Sequence, residues 1–373
     1  MTTQTAEYRS PLLSRRGAVA ASAPDEGVAA HYGEPVAEQR ALVRGIGVVD
    51  ASHRGVVTVT GPDRLSWLDT LSSQWLRDLA PGQSAEMMLL DVNGRISHAP
   101  AVLDDGECTF LVADAADGAD LAAFLESMKF MLRVEITHRS DLGVLATSAT
   151  GPTLRGADGA ELPSWTDPWP HTPEGSTRYG PPEAEHPGTE WQVRYWITPR
   201  DQVADVVAEA ESAGARAAGV WALEALRVGA WRPRLARDVD ERAIPHELDW
   251  LRTGVHLHKG CYRGQESVAR VFNLGRPPRR LTMLHLDGSE HVLPEPGDDV
   301  LHGERKVGVV TSVVRHHELG PVALALLKRN LDPAAELMVA GIAAAQEVIV
   351  NTDGFGTGRP EPSGRPQLRR RTL

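Results

Sequence analysis

Apolar positions along the chain follow two periods. Leu65, Leu68 and Leu71 share one face after the Gly61-Pro62-Asp63 turn, and Leu121, Phe124, Leu125 and Met128 recur at helical spacing between Asp120 and Leu132. Pro35 to Gly45, Gln202 to Ala213 and Val220 to Ala230 read as further helices, the first closed by glycine and the last stopped at Arg232-Pro233-Arg234. Runs rich in β-branched residues predict strands at Gly55 to Thr60, Ala85 to Leu90, Arg95 to Leu103, Glu107 to Ala113, Val134 to Thr137 and Gly143 to Thr147. Asn93-Gly94 and Asp105-Gly106 are hairpin turn signals among them. Trp191 to Thr198 alternates like a strand, which puts Tyr195 on the face of Trp191 and opposite Trp196. From Arg279 onward short strands recur (Leu281 to Leu286, Lys306 to Val314, Val322 to Leu327, Glu347 to Val350) with turn signals between them, the pattern of a small antiparallel barrel or sandwich.

Composition sets boundaries around these elements. Residues 1–30 are small and polar and read as a disordered leader; 150–188 is a long loop dense in Gly, Pro, Asp and Glu; 351–373 reads as a disordered tail ending in Arg369-Arg370-Arg371. Ser14-Arg15-Arg16-Gly17 is the shape of a twin-arginine export signal, but the apolar stretch behind it stops at Pro24-Asp25-Glu26, so the cytoplasm is the expected location. With 42% hydrophobic and 24% charged residues the chain has material for a sizeable core. A net charge of −11 argues against a general nucleic-acid binder. No apolar run reaches the ~18 residues of a membrane span, so no membrane partner is expected. Two cysteines, Cys108 and Cys261, exclude a disulfide scaffold and a multi-cysteine zinc site.

The densest chemistry lies in Lys259-Gly260-Cys261-Tyr262-Arg263-Gly264-Gln265-Glu266. Two glycines flank the cysteine and allow a tight turn or close approach to a ligand. Lys259 and Arg263 bracket the thiol, and cationic neighbours favour the thiolate of an exposed cysteine. Such a sulfur serves as nucleophile, redox sensor or metal ligand; the alternative is a small buried core residue. Cys108, inside a strand, reads as core.

The octet, continued by Ser267-Val268-Ala269-Arg270, resembles the signature K-G-C-Y-x-G-Q-E of the YgfZ-type folate-binding family, relatives of the glycine-cleavage T protein. Gly47 to Ser52, Val59 to Leu68, Leu89 to Ile96 and Ala225 to Val228 with Ile244-Pro245 resemble other segments of that family, so the likeness covers roughly residues 36 to 350. The resemblance implies an α+β, bilobed aminomethyltransferase-like folate-binding fold over residues 31–275 and a small C-terminal antiparallel β-barrel over 276–350. It implies tetrahydrofolate as cofactor and a monomeric accessory protein that supports assembly or repair of iron–sulfur enzymes, with iron–sulfur carriers or client enzymes as partners. Cys261 would be the working thiol and a transient iron–sulfur ligand. Lys259, Gly260, Tyr262, Arg263, Gly264, Gln265, Glu266, Arg227, Tyr195 and Arg270 are the expected folate-binding residues. The alternative is a folate-dependent one-carbon transferase.

One departure bears on that alternative. The aminomethyltransferases place an aspartate four or five residues after the hairpin glycine, near the reacting folate nitrogen; here His98 or Ala99 holds that place. An alanine cannot steady positive charge there, and a neutral histidine does so poorly. The family's pterin-gripping glutamate is replaced by Gly229. Among other residues, Glu224 is either a hydrogen-bond acceptor for a pterin or a salt-bridging group, and Arg227 either lines the pocket or bridges lobes. His246, Glu247 and Asp249 read as capping and pairing groups rather than as metal ligands. Arg270, Arg276, Arg279 and Arg280 form a basic cluster that either receives a folate's glutamate tail or decorates a linker.

Overall fold

The β-branched runs form two five-stranded sheets. In a computed structural model describing residues 8–114, 117–289 and 292–360, the first sheet orders its strands Glu135–His138, Val56–Thr60, Cys108–Val112, Ala101–Asp104 and Ser84–Glu86, all antiparallel. The second orders Ser164–Thr166, Val193–Pro199, Leu142–Ser148, Gly47–Asp50 and Arg216–Ala218, with only the last pair parallel. The helices Arg64–Leu71 and Asp117–Met128 cover the first sheet, enclosing Trp67, Leu68, Leu121 and Leu125 against Val57, Val59 and Leu111. Val203–Ser212 packs Val203, Val206 and Val207 against Trp196 and Leu145 of the second. The expected strand from Arg95 to Leu103 is broken into Ile96–His98 and Ala101–Asp104, because Pro100 has no amide proton to give a ladder.

The C-terminal strands close on themselves. Arg279–Leu286 pairs with Gly320–Lys328 on one side and Ile342–Val348 on the other, and Arg305–His316, Asp299–His302 and Leu337–Val339 complete a six-stranded barrel filled by Leu284, Val300, Val310, Leu327 and Val339. Closure removes the exposed edges that a sandwich would leave. The α+β organisation and the small antiparallel barrel are therefore as the sequence leads one to expect. Among the described residues no helix is long and apolar enough to cross a membrane.

Three segments expected to be irregular are instead packed. From residue 8 onward the leader forms the turn Pro11–Ser14 and a ribbon of Val19–Ala20 with Ala29–His31. Leu12, Val28 and Ala30 are buried, and Gly219 admits the Ala30 carbonyl so closely that a Cβ would lie 2.2 Å from its oxygen. Within 150–188, Trp165, Trp169 and Tyr179 are buried. Residues 351–360 hydrogen-bond to Tyr179 and Arg178, and Phe355 lies between Arg276 and Arg359. Small and turn-forming residues hid this packing, since their anchors are isolated aromatics and backbone groups rather than periodic apolar runs. The rest of leader and tail, residues 1–7 and 361–373, lies outside the described residues.

Candidate functional site

Between the two sheets and the helix Val220–Gly229 lies a cavity of about 90 Å³. That is room for about three waters at their liquid volume. Val193–Pro199 contributes Tyr195, whose ring stacks on Trp165 at 5.3 Å with 19° between planes. Trp191 lies on the same side and Trp196 on the other, as alternation requires.

The polar wall is a ring of arginines and carboxylates. Arg234 gives hydrogen bonds to Asp114 (2.9 Å), Glu224 (2.8 Å) and Asp25 (2.6 Å). Arg232 binds Asp167 (2.9 Å) and Glu86, and Glu86 also accepts from Trp250 (2.8 Å) and Thr253 (2.6 Å). Arg227 reaches Glu224 (3.0 Å), Asp238 (2.6 Å) and Ser312 of the barrel, so it both lines the cavity and ties the barrel to it. Arg54 lies over the Tyr195 ring and 3.0 Å from Asp114.

These pairings set the protonation of the wall. Burial opposes ionisation of Asp25, but the hydrogen bond with His53 and the charge of Arg234 hold its carboxyl far below the usual range. Burial also opposes the charge on Glu224, and Arg227 and Arg234 reverse it. Asp167 goes the other way: burial pushes its carboxyl up, Arg232 offsets this only in part, and Glu86 adds to it. His53 is held neutral by burial. Several buried donors have no partner: Arg54 Nε, Arg232 Nη1 and Trp191 Nε1, with His53 Nδ1 beside them. The cavity therefore offers stacking faces, spare donors and one carboxyl whose ionisation burial opposes. A flat heterocycle with ring nitrogens and carbonyl oxygens, such as a pterin, fits that lining.

Of the two candidates for the missing acid, His98 turns away. Its Nδ1 lies 2.7 Å from Asp117 and its ring packs near Phe124, whereas Ala99 faces the cavity. The site thus presents a methyl group where the resemblance implies a carboxylate.

The cysteine octet lies outside this cavity, and only Tyr195 and Arg227 of the expected folate-binding residues line it. Cys261 is exposed, at the rim of a separate surface pocket with Tyr262 and Arg263. The expected bracket of charge is corrected on one side. Lys259 turns inward, and its ammonium donates to the carbonyls of Asp69 (2.6 Å), Ser72 (2.9 Å) and Gln74 (2.5 Å) beside the Asp69 carboxylate. A helix C-terminus leaves such carbonyls unpaired, and the lysine supplies their donors. Gly264 caps the helix Gln265–Asn273 at φ 84°, where a Cβ would lie 2.5 Å from the Asp91 carbonyl oxygen. Gly260 has open space around it and no positive φ, so no tight turn depends on it. Gln265 donates to the Lys259 carbonyl, and Glu266 pairs on the surface with Arg270. The remaining arginines of the basic cluster serve the fold: Arg279 binds Asp240 and Glu247, and Arg280 is buried among barrel carbonyls, Thr282 and Gln346. Asp249 pairs with Arg252, and His246 is buried against Tyr179 and the Val268 carbonyl.

Sequence reasoning missed Asp25, His53, Arg54, Glu86, Asp114, Asp167, Arg232 and Arg234. The one available signal was Arg232-Pro233-Arg234, two guanidiniums held on one extended segment by the intervening proline.

Comparison with known proteins bears on this architecture. The GCVT N-terminal domain matches residues 13–154, and the glycine cleavage T-protein C-terminal barrel domain matches residues 279–353; together they span more than half of the chain. An aminomethyltransferase of Frankia alni is 29% identical over 306 residues, covering 79% of this chain and 82% of that protein. One from Synechococcus sp. (strain WH7803) is 27% identical over 304 residues, covering 74% and 78%. The crystal structure of the glycine cleavage system aminomethyltransferase T from Bartonella henselae superimposes with a TM-score of 0.70 at 20% identity, covering 91% of this chain and 94% of that one, a likeness of fold.

Proposed function

Because the chain belongs to the glycine cleavage T-protein family, with that family's N-terminal domain and C-terminal barrel, we propose that it binds a reduced folate in the central cavity and acts on the one-carbon unit the folate carries. The observation that carries this reading is the set of unpartnered buried donors, Arg54 Nε, Arg232 Nη1 and Trp191 Nε1, around the stacked Trp165 and Tyr195 rings. A bound reduced folate would supply the ring nitrogens that hold a one-carbon unit. Trp165 and Tyr195 give the ring a flat face, and the spare donors meet its nitrogens and carbonyl. Burial raises the Asp167 carboxyl against the pull of Arg232, so it is the cavity group we assign to proton transfer with the bound folate, a role Ala99 cannot fill.

Quenching of tryptophan fluorescence on titration with tetrahydrofolate tests the binding, and turnover with methylamine and aminomethyl donors tests the chemistry. Asp167→Asn is expected to keep most of the affinity and lose at least about tenfold in turnover. Absence of binding removes the proposal. Binding without turnover on any such donor reduces it to a folate-binding protein.

The exposure of Cys261, outside the cavity, favours a second reading: an accessory protein for iron–sulfur enzymes in which folate binds at one site and the thiol works at another. One thiol cannot hold a cluster that takes about four ligands, so this reading requires a partner's thiolates. The Cys261→Ser variant is expected to bind folate normally yet fail to restore four-iron enzymes in cells lacking the protein. Full rescue by the serine variant counts against it.

A further inference from the structure

The two most exposed large apolar side chains among the described residues are adjacent. Phe130 is 91% and Met131 84% accessible, just past the helix Asp117–Met128. Phe130 also adopts φ 44°, a left-handed conformation that a bulky side chain rarely takes and that costs on the order of 1 kcal/mol. Neither burial nor a hydrogen bond of the Phe130 side chain offsets that cost. Two residues before Phe130, Met128, 40% exposed, lines a surface pocket of about 260 Å³ together with Leu71, Leu89, Phe124, Cys261 and Arg263. The Arg263 side chain has no ion-pair partner among the described residues, whereas Lys129 and Arg133, the cations on either side of Phe130 and Met131, are already bound to Glu126 and Asp63.

We propose that the shelf of Met128, Phe130 and Met131, with the pocket that Cys261 lines, is the docking surface for an apolar segment of another protein that carries a carboxylate beside its anchoring side chain. Aromatic, methionine and arginine side chains are the types enriched at the centres of protein interfaces. A single free guanidinium at the rim of an apolar pocket selects an anionic neighbour for the anchor. The surface is separate from the central cavity, so the inference stands whether or not folate binds there.

Thiol–disulfide exchange reads the docking directly, because Cys261 lines the pocket. The probes are three short synthetic peptides of equal length, acidic-apolar, basic-apolar and acidic-polar, each bearing a cysteine activated as its mixed disulfide with thionitrobenzoate. Cys261 Sγ, having given its proton to the buffer, attacks the peptide sulfur; the new disulfide forms, the old S–S bond breaks, and thionitrobenzoate leaves with the electron pair. A Cys108→Ala background removes the second thiol. The acidic-apolar peptide is expected to react at least about tenfold faster than the other two, and the gap is expected to close in Phe130→Ser/Met131→Ser. Both replaced side chains are exposed, and circular dichroism verifies that the fold is intact. Equal rates for all three peptides, or a preference that survives the double substitution, overturns the proposal. So does binding through Phe130 and Met131 to vesicles of phosphatidylglycerol and phosphatidylcholine, or a self-association in sedimentation that the double substitution abolishes, since either assigns the shelf to another occupant.

Discussion

Lys259 Nζ lies 2.6 Å from the carbonyl oxygen of Asp69 and shares its remaining protons with Ser72 and Gln74, so the lysine that precedes Cys261 closes the end of the helix Arg64–Leu71. Lys259→Met leaves the Asp69 and Ser72 carbonyls without their side-chain donor, and leaves the Gln74 carbonyl to the Ser72 hydroxyl and the buried Asp69 carboxylate to the Leu76 amide and Arg77. The expected cost is about 3 kcal/mol in urea unfolding. The loosened loop is expected to speed modification of Cys261 by an aromatic disulfide; an unchanged midpoint would show that water replaces the ammonium at no cost.

Stability is expected to fall with acid through histidines. Burial holds His246 neutral and pushes its pKa from 6.5 down to about 4, and burial likewise takes His316 to about 4 and His186 to about 3. The unfolded chain takes up these protons first as pH drops below 6.5. The stabilisation is therefore complete above that pH and is lost as pH falls toward 4, with His246 accounting for up to about 3 kcal/mol. Urea unfolding at a series of pH values is expected to show His246→Gln with a shallower slope across this window than the parent.

The faces of His98 and Ala99 separate two substitutions one residue apart. Ala99→Leu fills the cavity and is expected to weaken tetrahydrofolate binding at least about tenfold, the effect of about 1.4 kcal/mol. His98→Asn removes contacts with Asp117 and Phe124 instead and is expected to lower the melting temperature with the affinity intact. Equal loss of affinity in both variants would place His98 in the site.

Asp25 makes the N-terminal segment part of the cavity wall, since its carboxylate meets Arg234 at 2.6 Å and Arg237 at 2.9 Å. Asp25→Ala leaves buried guanidinium edges unpaired and is expected to cost about 3 kcal/mol in chemical denaturation. Asp25→Asn, which keeps the shape, is expected to cost less. Removal of residues 1–30 without effect on the unfolding midpoint would return this segment to the role of a leader.

How much of this was legible differs from residue to residue. Tyr195 and Trp191 opposite Trp196 followed from a period of two, which survives any packing. The cysteine octet stood out by composition, yet its chemistry was read as one unit, and the structure divides it: Lys259 inward, Cys261 outward, Gly264 at a helix cap. The arginine ring was illegible for a physical reason. Arg234 meets Asp25 across 209 residues and Asp114 across 120, and no local pattern encodes a pairing at that range. Asp167 lay hidden in a segment whose prolines and glycines conceal how firmly Trp165 and Trp169 anchor it.

By itself, then, the chain's order of residues determined where many of the strands and helices form, that the C-terminal strands make a small antiparallel barrel or sandwich, and which side chains share a face. These are short-range matters of dihedral preference, turn chemistry and periodicity. Only the tertiary structure decided which of two neighbours, His98 or Ala99, meets the cavity, and which carboxylate each arginine of the wall binds. Alternation fixes relative faces, but burial against distant segments determines which face is inside, and that depends on the whole chain at once.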